Sequence, residues 1–396
     1  MFSLTLDLPR WDVSPPGYRE SPAGHVAREV RVDTTRLREL VTTDGPFASV
    51  YFDDTHDTAD AEKLLELRWR ELRERLEGQG AERPTLDAME SAVREAAPPV
   101  GRSGRALVAV GDRVLVDQEL DEPPAQPIAR LSGLPYVLPL AEFGERPPAH
   151  VVAVVDHVGA DVTAVDADGN VVDEQTVEGS EHPVHKVRGG GSAHRDLQSR
   201  AEETARHNIN RVAEHVATTA RRVGAALVVL AGESQARKEL HDALPEQVRR
   251  VATELQTGAR HQGGGNEELR EQIQQLLAKT KQARRDEVVE RFRAALGKRD
   301  GLAVQGLQAT TTALREANVE TLLVADPGDA EVLTGEEPTL VAVQKEELEA
   351  HGTRSVSRRR ADEALAVAAI AGAAEIICTG DTLELMDGVG AILRHD

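Results

Sequence analysis

The sequence predicts a three-domain α/β protein, and three observations support this. The chain has 396 residues, the length of two or three ordinary domains. Short apolar runs rich in β-branched residues alternate with longer segments in which apolar residues recur at steps of three and four. Two stretches rich in Pro or Gly, Pro147-Pro148 and Gln262-Gly-Gly-Gly-Asn266, interrupt this alternation. They predict domains at 1–147, 148–266 and 267–396.

The first unit is predicted to be an N-terminal α/β domain. Residues 34–43 and 57–79 have helical periodicity, and the second segment carries its leucines among dense charge of both signs. Between them, Phe47-Ala-Ser-Val-Tyr-Phe52 is typical of a buried strand. The runs Ala106–Val110 and Arg113–Asp117 flank a polar Gly-Asp turn and therefore predict a hairpin.

The second unit is predicted to contain a mixed sheet with helices packed on it. The runs 150–155 and 160–166, followed by a third run after the turn Asp168-Gly169, predict an antiparallel meander. From Leu197 to Val223 apolar residues recur at steps of three and four, which predicts an amphipathic helix with one stripe buried on the sheet. The run 224–230 predicts a further strand.

The third unit alternates helices and strands, which predicts a C-terminal α/β sandwich. Its predicted helices are 267–296, 302–317 and 361–373, and its predicted strands are 320–324, 340–343, 375–378 and 390–393.

The charge balance limits the partners that the chain can bind. It has 68 Asp and Glu against 47 Lys and Arg, a formal net charge of −21. Such a balance argues against a general nucleic-acid coat and against adsorption to anionic lipid, because both depend on the field of the whole molecule. The net charge does not exclude a small local basic patch. Ten aromatic residues (two Trp, three Tyr, five Phe) predict cores built from Ala, Val and Leu.

Cysteine use and hydropathy predict a soluble cytoplasmic protein. Cys378 is the single cysteine, which excludes an internal disulfide and a multi-thiolate zinc site. The first 19 residues lack the basic start and long apolar run of a leader. No segment approaches the roughly 18 consecutive apolar residues of a membrane span.

One segment differs from the rest of the chain in charge. His185-Lys-Val-Arg-Gly-Gly-Gly-Ser-Ala-His-Arg195, hereafter the basic glycine loop, contains no acidic residue and precedes the predicted amphipathic helix. Its glycines permit close approach to another backbone, Ser192 can cap the helix, and its cations can contact phosphates. No Lys-Ser or Lys-Thr follows the glycines, so it is not a nucleotide-binding P-loop. The alternative is an ordinary surface loop between a strand and a helix.

The run from Arg188 to Arg195 resembles the glycine-glycine-glutamine loop of the archaeal and eukaryotic class-I release factors, a superfamily that includes Pelota-like proteins. The similarity extends in order over about residues 150 to 396. The first 150 residues show no such match, and neither the family's Asn-Ile-Lys-Ser loop nor its cysteine-bearing partner motif is found. The similar segments are 206–211, 264–266, 291–292, 306–314, 318–324 and 388–394.

The chain departs from the family at one position. Gly191 stands where release factors carry the glutamine that coordinates the hydrolytic water. Glycine has no side-chain donor or acceptor and retains only its backbone N–H, so it cannot orient water with a side chain. Gln198 lies roughly 10 Å further along the predicted helix and is a poor substitute. No catalytic residue is therefore assigned.

The resemblance then implies binding without peptide release. A release-factor body without the glutamine resembles the ribosome hibernation factor Balon and its actinobacterial homologues, which occupy the A site of idle ribosomes. This resemblance implies the 70S ribosome, with its 23S and 16S rRNA, as partner and elongation factor Tu as a further one. It implies no cofactor, metal, membrane or DNA. The residues expected at the rRNA are His185, Lys186, Arg188, Gly189, Gly190, Gly191, Ser192, His194 and Arg195.

Two other functions remain open from the sequence. The first is a peptidyl-tRNA hydrolase that rescues stalled ribosomes, with water held by Ser192, His194 or the loop backbone. The second is a scaffold that keeps the fold without binding the ribosome.

Four further groups of residues are candidates with structural alternatives. The carboxylate-rich run Asp53, Asp54, His56, Asp57 and Asp60 lacks the spacing of an EF-hand, which favours a helix start or solvated loop over a cation site. Asp156 follows an apolar strand, with no partner carboxylate in view, and is expected to be structural. A metal site from His182, His185 and His194 is disfavoured, since no carboxylate or thiolate lies at ligand spacing. Arg358-Arg-Arg360 precedes a helix and is expected to form a solvated face.

Overall fold

The computed structural model describes residues 34–99, 102–144, 147–167, 169–178, 192–257, 266–298 and 301–395. These residues form four β-sheets, with helices on their faces. The mixed α/β class predicted from the sequence is confirmed. Among the described residues no helix is both long enough and apolar enough to cross a membrane.

The first part of the chain is a four-stranded antiparallel sheet in the order β3-β2-β1-β4. The predicted helices, strand and hairpin form, although the second helix begins at Ala61 and not at residue 57. Two helices, Arg83–Glu95 and Leu138–Phe143, and the edge strand were not predicted. The first of these helices begins with a Pro in its first turn and buries Leu86, Met89 and Val93. The elements are α1 (Thr34–Thr42), β1 (Phe47–Asp53), α2 (Ala61–Gly78), α3 (Arg83–Glu95), β2 (Gly104–Val110), β3 (Arg113–Leu120), β4 (Ile128–Ser132) and α4 (Leu138–Phe143).

The middle part is a five-stranded mixed sheet in the order β7-β6-β5-β8-β9, and the predicted meander forms its antiparallel half. Strands β8 and β9 run parallel to β5. The elements are β5 (His150–Val155), β6 (Gly159–Val165), β7 (Val171–Glu178), α5 (Ser192–Val223), β8 (Leu227–Gly232), α6 (Ser234–Ala243), α7 (Glu246–Arg249) and β9 (Ala252–Glu254).

The predicted amphipathic helix is confirmed as α5. Its apolar stripe, represented by Ile209, Val212 and Val216, is buried against the middle sheet. The next strand begins at Leu227 and not at residue 224, because Gly224 has a positive φ of 64° and the N–H of Ala225 bonds to the carbonyl of Ala220. These residues end the helix and are not available to the strand.

The last part contains a four-stranded sheet, β10-β16-β11-β15, and a three-stranded sheet, β13-β12-β14. Two single-turn 3₁₀ helices, Gly380–Thr382 and Met386–Gly388, precede the last strand. The remaining elements are α8 (Asn266–Leu296), β10 (Ala303–Gln305), α9 (Leu307–Arg315), β11 (Val319–Val324), β12 (Glu331–Thr334), β13 (Val341–Ala342), α10 (Lys345–Ala350), β14 (Ser357–Arg360), α11 (Ala361–Ala371), β15 (Glu375–Cys378) and β16 (Val389–Leu393).

The prediction of one helix over 302–317 is wrong at its start. Residues 303–305 form β10, and Gly306 adopts a φ of +85° before the helix begins at Leu307. The Asp387 carboxylate accepts a hydrogen bond from the N–H of Leu307 at 3.0 Å, so a side chain distant in sequence caps the helix.

Helix α8 contributes to the cores on both sides of the boundary predicted between residues 266 and 267. In its first half, Leu277 packs with Leu227 and Val229 of the middle sheet. In its second half, Val289 and Phe292 pack against the last sheet. The helix therefore joins the second and third predicted units and is shared between them.

The first and third predicted units also share a core. Leu40, Phe47 and Leu138 belong to the same buried cluster as Leu365 and Ala369 of α11. In α11, ten residues from Ala361 to Ile370 are buried, which makes it a central helix. Described elements of the first and third predicted units therefore pack around one core.

Candidate functional site

The basic glycine loop falls largely outside the described residues. This applies to His185, Lys186, Arg188 and Gly189–Gly191. The structure places Ser192 as the first residue of α5, with His194 and Arg195 in the turn that follows. It describes the side chains of α5 from Glu203 onward. The site is therefore defined by the two elements that flank the loop.

Strand β7 precedes the basic glycine loop, and the last four residues of the loop are the first four of α5. Strand β7 ends at Glu178, which pairs with Gly159. Helix α5 contacts the same end of the sheet through Asn208. The side-chain amide of Asn208 donates a hydrogen bond to the carbonyl of His157, between β5 and β6, at 3.3 Å. Among the side chains of α5 that the structure describes, from Glu203 onward, Asn208 is the first that is buried, and Arg206 and His207 are exposed.

Helix α5 therefore extends well past the end of the sheet. Sixteen residues separate Ser192 from Asn208, which corresponds to about 24 Å of helix at 1.5 Å per residue. The chain between Glu178 and Ser192 connects the end of the sheet to the far end of this helix.

Gly191 directly precedes the first helical residue. Gln198 lies in α5, six positions after Ser192, which corresponds to about 9 Å along the helix axis. A residue in the release factors' glutamine role is thus missing from the sequence at this position.

The histidine candidates for a metal are not brought together within the described part of the chain. His182 and His185 lie outside the described residues, and His194 is described by its backbone alone. Elsewhere in that part, no group of three or more His, Cys, Asp or Glu side chains has the geometry to hold a metal ion.

The carboxylate-rich run after β1 is occupied by structural contacts. Arg68 donates to the Asp53 carboxylate at 2.9 Å, and Asp54 is buried with the Arg105 guanidinium at 3.9 Å. Burial raises the pKa of the Asp54 carboxyl, and Arg105 and His56 offset this only in part. Asp60 stands at the N-terminus of α2, and Asp57 is exposed. The run belongs to a helix start and a sheet end, in agreement with the structural alternative.

Asp156 also has a structural role. Its Oδ1 accepts hydrogen bonds from the N–H groups of Val158 and Gly159 at 2.8 and 2.9 Å. These bonds close the turn between β5 and β6.

The prediction of a solvated face for Arg358–Arg360 is wrong for Arg360. The run forms β14, and the Arg360 guanidinium is paired with Asp329 at 2.8 Å and Asp362 at 3.0 Å. The first of these residues, Arg358, is exposed and pairs with Glu331. Strand pairing with β12 brings Glu331 and the nearby Asp329 within reach, whereas Asp362 lies two residues after Arg360, in the first turn of α11.

A charged cluster that the sequence did not indicate joins the two ends of the chain. Arg130 of β4 lies 3.0 Å from Asp362 and 3.1 Å from Glu363, both in the first turn of α11. The hydroxyl of Ser132 also donates to Glu363, and the Arg130 guanidinium carbon stands 3.6 Å from the centre of the Tyr136 ring. No sequence signal links these residues, because the contacts span more than 200 positions.

Comparison with known proteins identifies the class. The model of the bacterial archaeo-eukaryotic release factor family 2 matches residues 149–298. The uncharacterized proteins Rv2629 and MT2704 of Mycobacterium tuberculosis, from strains H37Rv and CDC 1551, are each 39% identical to the chain over 361 residues, covering 91% of it and 96% of their own length. The chain belongs to this family, the bacterial branch of the release-factor superfamily. The resemblance found in the sequence is confirmed.

The chain is also similar to several solved structures. The archaeal translation termination factor aRF1 is 16% identical, with coverage of 91% of this chain and 97% of its own and a TM-score of 0.27. Pelota of Archaeoglobus fulgidus is 13% identical, with 92% coverage of both chains and a TM-score of 0.36. Archaeal Pelota from a model of the ribosome-bound protein with ABCE1 is 14% identical, covering 91% and 93%, with a TM-score of 0.39.

Proposed function

We propose that this protein is a ribosome hibernation factor. In this proposal it binds the vacant A site of idle 70S ribosomes, contacts 23S and 16S rRNA, and shields the decoding and peptidyl-transferase centres during stress or dormancy without releasing peptide. The observation that carries the proposal is that the basic glycine loop leads in sequence into α5, a helix that extends about 24 Å beyond its sheet, in a chain that belongs to a release-factor family.

The charge distribution supports a local mode of RNA binding. Lys186, Arg188 and Arg195 lie in a segment without acids, whereas the whole chain carries −21. Each phosphate that a cation neutralises releases counterions, so a few cations can dock one tip. The surplus carboxylates elsewhere repel RNA and oppose indiscriminate binding.

The chemistry of the loop supports binding without hydrolysis. Gly191 offers only a backbone N–H, and this cannot hold and deprotonate a water as a positioned side chain does. Its missing side chain instead allows a close approach to RNA backbone. Resemblance to Balon also gives elongation factor Tu as a partner in this proposal, to be tested with the purified factor.

Binding to purified vacant 70S ribosomes tests the proposal. Wild-type protein should sediment with ribosomes at low salt, and the variant K186A/R188A/R195A should lose most of this binding. A matched control, R83A/R250A/R358A, removes three exposed cations from other surfaces and should bind like wild type. Wild-type protein that stays at the top of the gradient would show the proposal to be wrong.

Release assays separate this function from a rescue hydrolase. Ribosomes carrying labelled peptidyl-tRNA should retain their peptide when the wild-type protein is added. Release by wild type that is lost in His194→Ala would instead assign the hydrolase function, with the water held near that side chain.

A further inference from the structure

The middle unit is attached to the other two units through helix α8. Among the described residues, no buried apolar cluster contains side chains of both the middle sheet and the sheets of the other units. In the first half of α8, Leu277 packs with Leu227 and Val229 of the middle sheet. In its second half, Phe292 belongs to the core of the last unit. A change in direction between the two halves of α8 therefore moves the middle unit relative to the other two.

The centre of α8 has no apolar packing to fix its direction. From Ala278 to Glu287 every side chain is exposed or half-buried, and none is buried. Leu277 and Val288, which flank this segment, are both buried. Apolar contacts therefore fix the two halves of the helix on their cores and leave the segment between them to polar contacts.

Two cations occupy the middle of the stripe that α8 turns towards its neighbours. Leu277, Lys281, Arg284 and Val288 follow one another at steps of four, three and four, which places them on one face of the helix. The outer two belong to the middle and last cores respectively. At the two inner positions the stripe carries positive charge where a continuous apolar seam would carry apolar side chains.

Both cations pair with carboxylates of the other units. The Nζ atom of Lys281 lies 2.5 Å from Oδ2 of Asp121, which follows β3, and Nη2 of Arg284 lies 2.5 Å from Oε1 of Glu375, the first residue of β15. Water reaches all four side chains, which are between 19% and 46% exposed. Ion pairs at such exposure are weak and are screened by salt, whereas apolar contacts are not. The centre of α8 is therefore held by contacts that salt or a charge reversal can break.

We propose that the pairs Lys281–Asp121 and Arg284–Glu375 form an ionic latch that holds the middle unit in one direction relative to the other two units. When both pairs are broken, α8 is free to bend over residues 278–287, and the middle unit moves with the first half of the helix. The cores at the two ends stay intact, because neither contains a residue of this segment. The inference goes beyond the proposed function and does not depend on it.

The expected displacement is large enough to measure. From the centre of the segment to the start of α8 at Asn266 is about 24 Å of helix at 1.5 Å per residue. A bend of about 20° at the centre therefore displaces the start of the helix by about 8 Å.

Distances between two spin labels on the full-length protein test the latch. One label replaces Glu71 on α2 and the other replaces Lys238 on α6, both exposed, and Cys378→Ser removes the native thiol. In the wild-type background at low salt the distribution of distances should be narrow. In K281E/R284E each new carboxylate repels its former partner, so the distribution should broaden and its mean should shift by several ångströms.

Two control variants separate the latch from a general effect of charge. R270E/K279E makes the same change in net charge at two exposed cations of α8, and should keep the wild-type distribution. D121K/K281E/R284E/E375K rebuilds both pairs with the signs exchanged, and should restore the narrow distribution. Circular dichroism of K281E/R284E should show unchanged helix content, because Glu has nearly the helix propensity of Lys and Arg.

Salt provides a second route that needs no substitution in the latch. In about 1 M KCl the Debye length falls to about 3 Å, and the distribution in the wild-type background should broaden as it does in K281E/R284E. The inference is overturned if neither the salt nor K281E/R284E changes the distribution, or if R270E/K279E broadens it equally. None of these measurements involves ribosomes, so the result holds whether or not the protein binds them.

Discussion

Arg130 and Glu363 form an ion pair, with Nη1 and Oε1 3.1 Å apart, although 233 positions separate them in the chain. The Glu363 side chain is 1% exposed and the Arg130 side chain 25%. Asp362 and Ser132 complete the cluster. The pair links β4 to α11 at the place where the two ends of the chain share a core.

Arg130→Ala should destabilise the protein strongly. The substitution leaves the buried Glu363 carboxylate without its cation, and breaking a buried pair from one side costs about 3–5 kcal/mol. Chemical denaturation at pH 7 measures this loss. The control Arg113→Ala breaks an exposed pair with Glu39, whose side chains are both 62% exposed, and should cost less than about 1 kcal/mol. Equal losses in the two variants would contradict the role of burial.

The stability difference between wild type and Glu363→Gln should depend on pH. Burial raises the pKa of Glu363 above its ordinary value, and hydrogen bonds from Ser132 and the charge of Arg130 offset this only in part. The folded state therefore binds this proton more tightly than the unfolded state does. The resulting stabilisation is complete below the ordinary carboxyl pKa and is lost as the pH rises through the folded value.

Wild type should consequently lose stability relative to Glu363→Gln as the pH rises from about 4 to 7. Urea denaturation of both proteins across this range measures the difference. Asp54 and Glu142, whose carboxyl pKa values burial also raises, are present in both proteins and cancel. A difference that grows in the opposite direction would show that Arg130 outweighs burial at this site.

Gly232→Ala should destabilise the middle unit more than Gly352→Ala destabilises the last one. Both glycines have positive φ, +106° and +81°, so each substitution carries backbone strain of about 1 kcal/mol. At Gly232 an added Cβ would also stand 2.1 Å from the carbonyl oxygen of Val155, whereas at Gly352 it would meet open space. The excess loss in Gly232→Ala, measured by thermal denaturation, reports the clash. Equal losses would show that the pair of strands β5 and β8 adjusts to the added Cβ without cost.

Single neutralisations in the basic glycine loop should act through salt dependence. Lys186→Ala, Arg188→Ala and Arg195→Ala should each flatten the plot of log affinity for vacant ribosomes against log salt by about 0.7 to 0.9. Titrations at several KCl concentrations measure these slopes. Arg83→Ala, which changes an 87% exposed cation on α3, should leave the slope unchanged. If all three loop variants have the wild-type slope, these residues do not contact phosphates, and that part of the proposal is wrong.

Local patterns in the sequence predicted much of the fold and the place of the candidate site. The stripe of α5 repeats at helical spacing because Ile209, Val212 and Val216 face one sheet, and such a pattern is readable without the partner. The acid-free run 185–195 and Gly191 at its centre are likewise properties of the chain itself. Helix α3 carried the same kind of signal in Leu86, Met89 and Val93 but was not predicted.

Features that depend on contacts between distant residues could not be predicted from the sequence. The start of α9 at Leu307 depends on Asp387, which lies 80 positions away and caps it. Helix α8 belongs to two cores because its two halves pack on different sheets. The ion pair of Arg360 with Asp329 depends on the pairing of β14 with β12.

The sequence by itself determined the α/β class, the order of most elements, the family resemblance and the charge of the basic glycine loop. Each of these can be recognised from residues along the chain without knowledge of tertiary contacts. Only the tertiary structure decided that β4 and α11 meet at the pair of Arg130 and Glu363. Charged residues give no periodic signal of their partners. Whether a carboxylate is solvated or buried beside a particular guanidinium is decided by packing between elements that the chain brings together only when it folds.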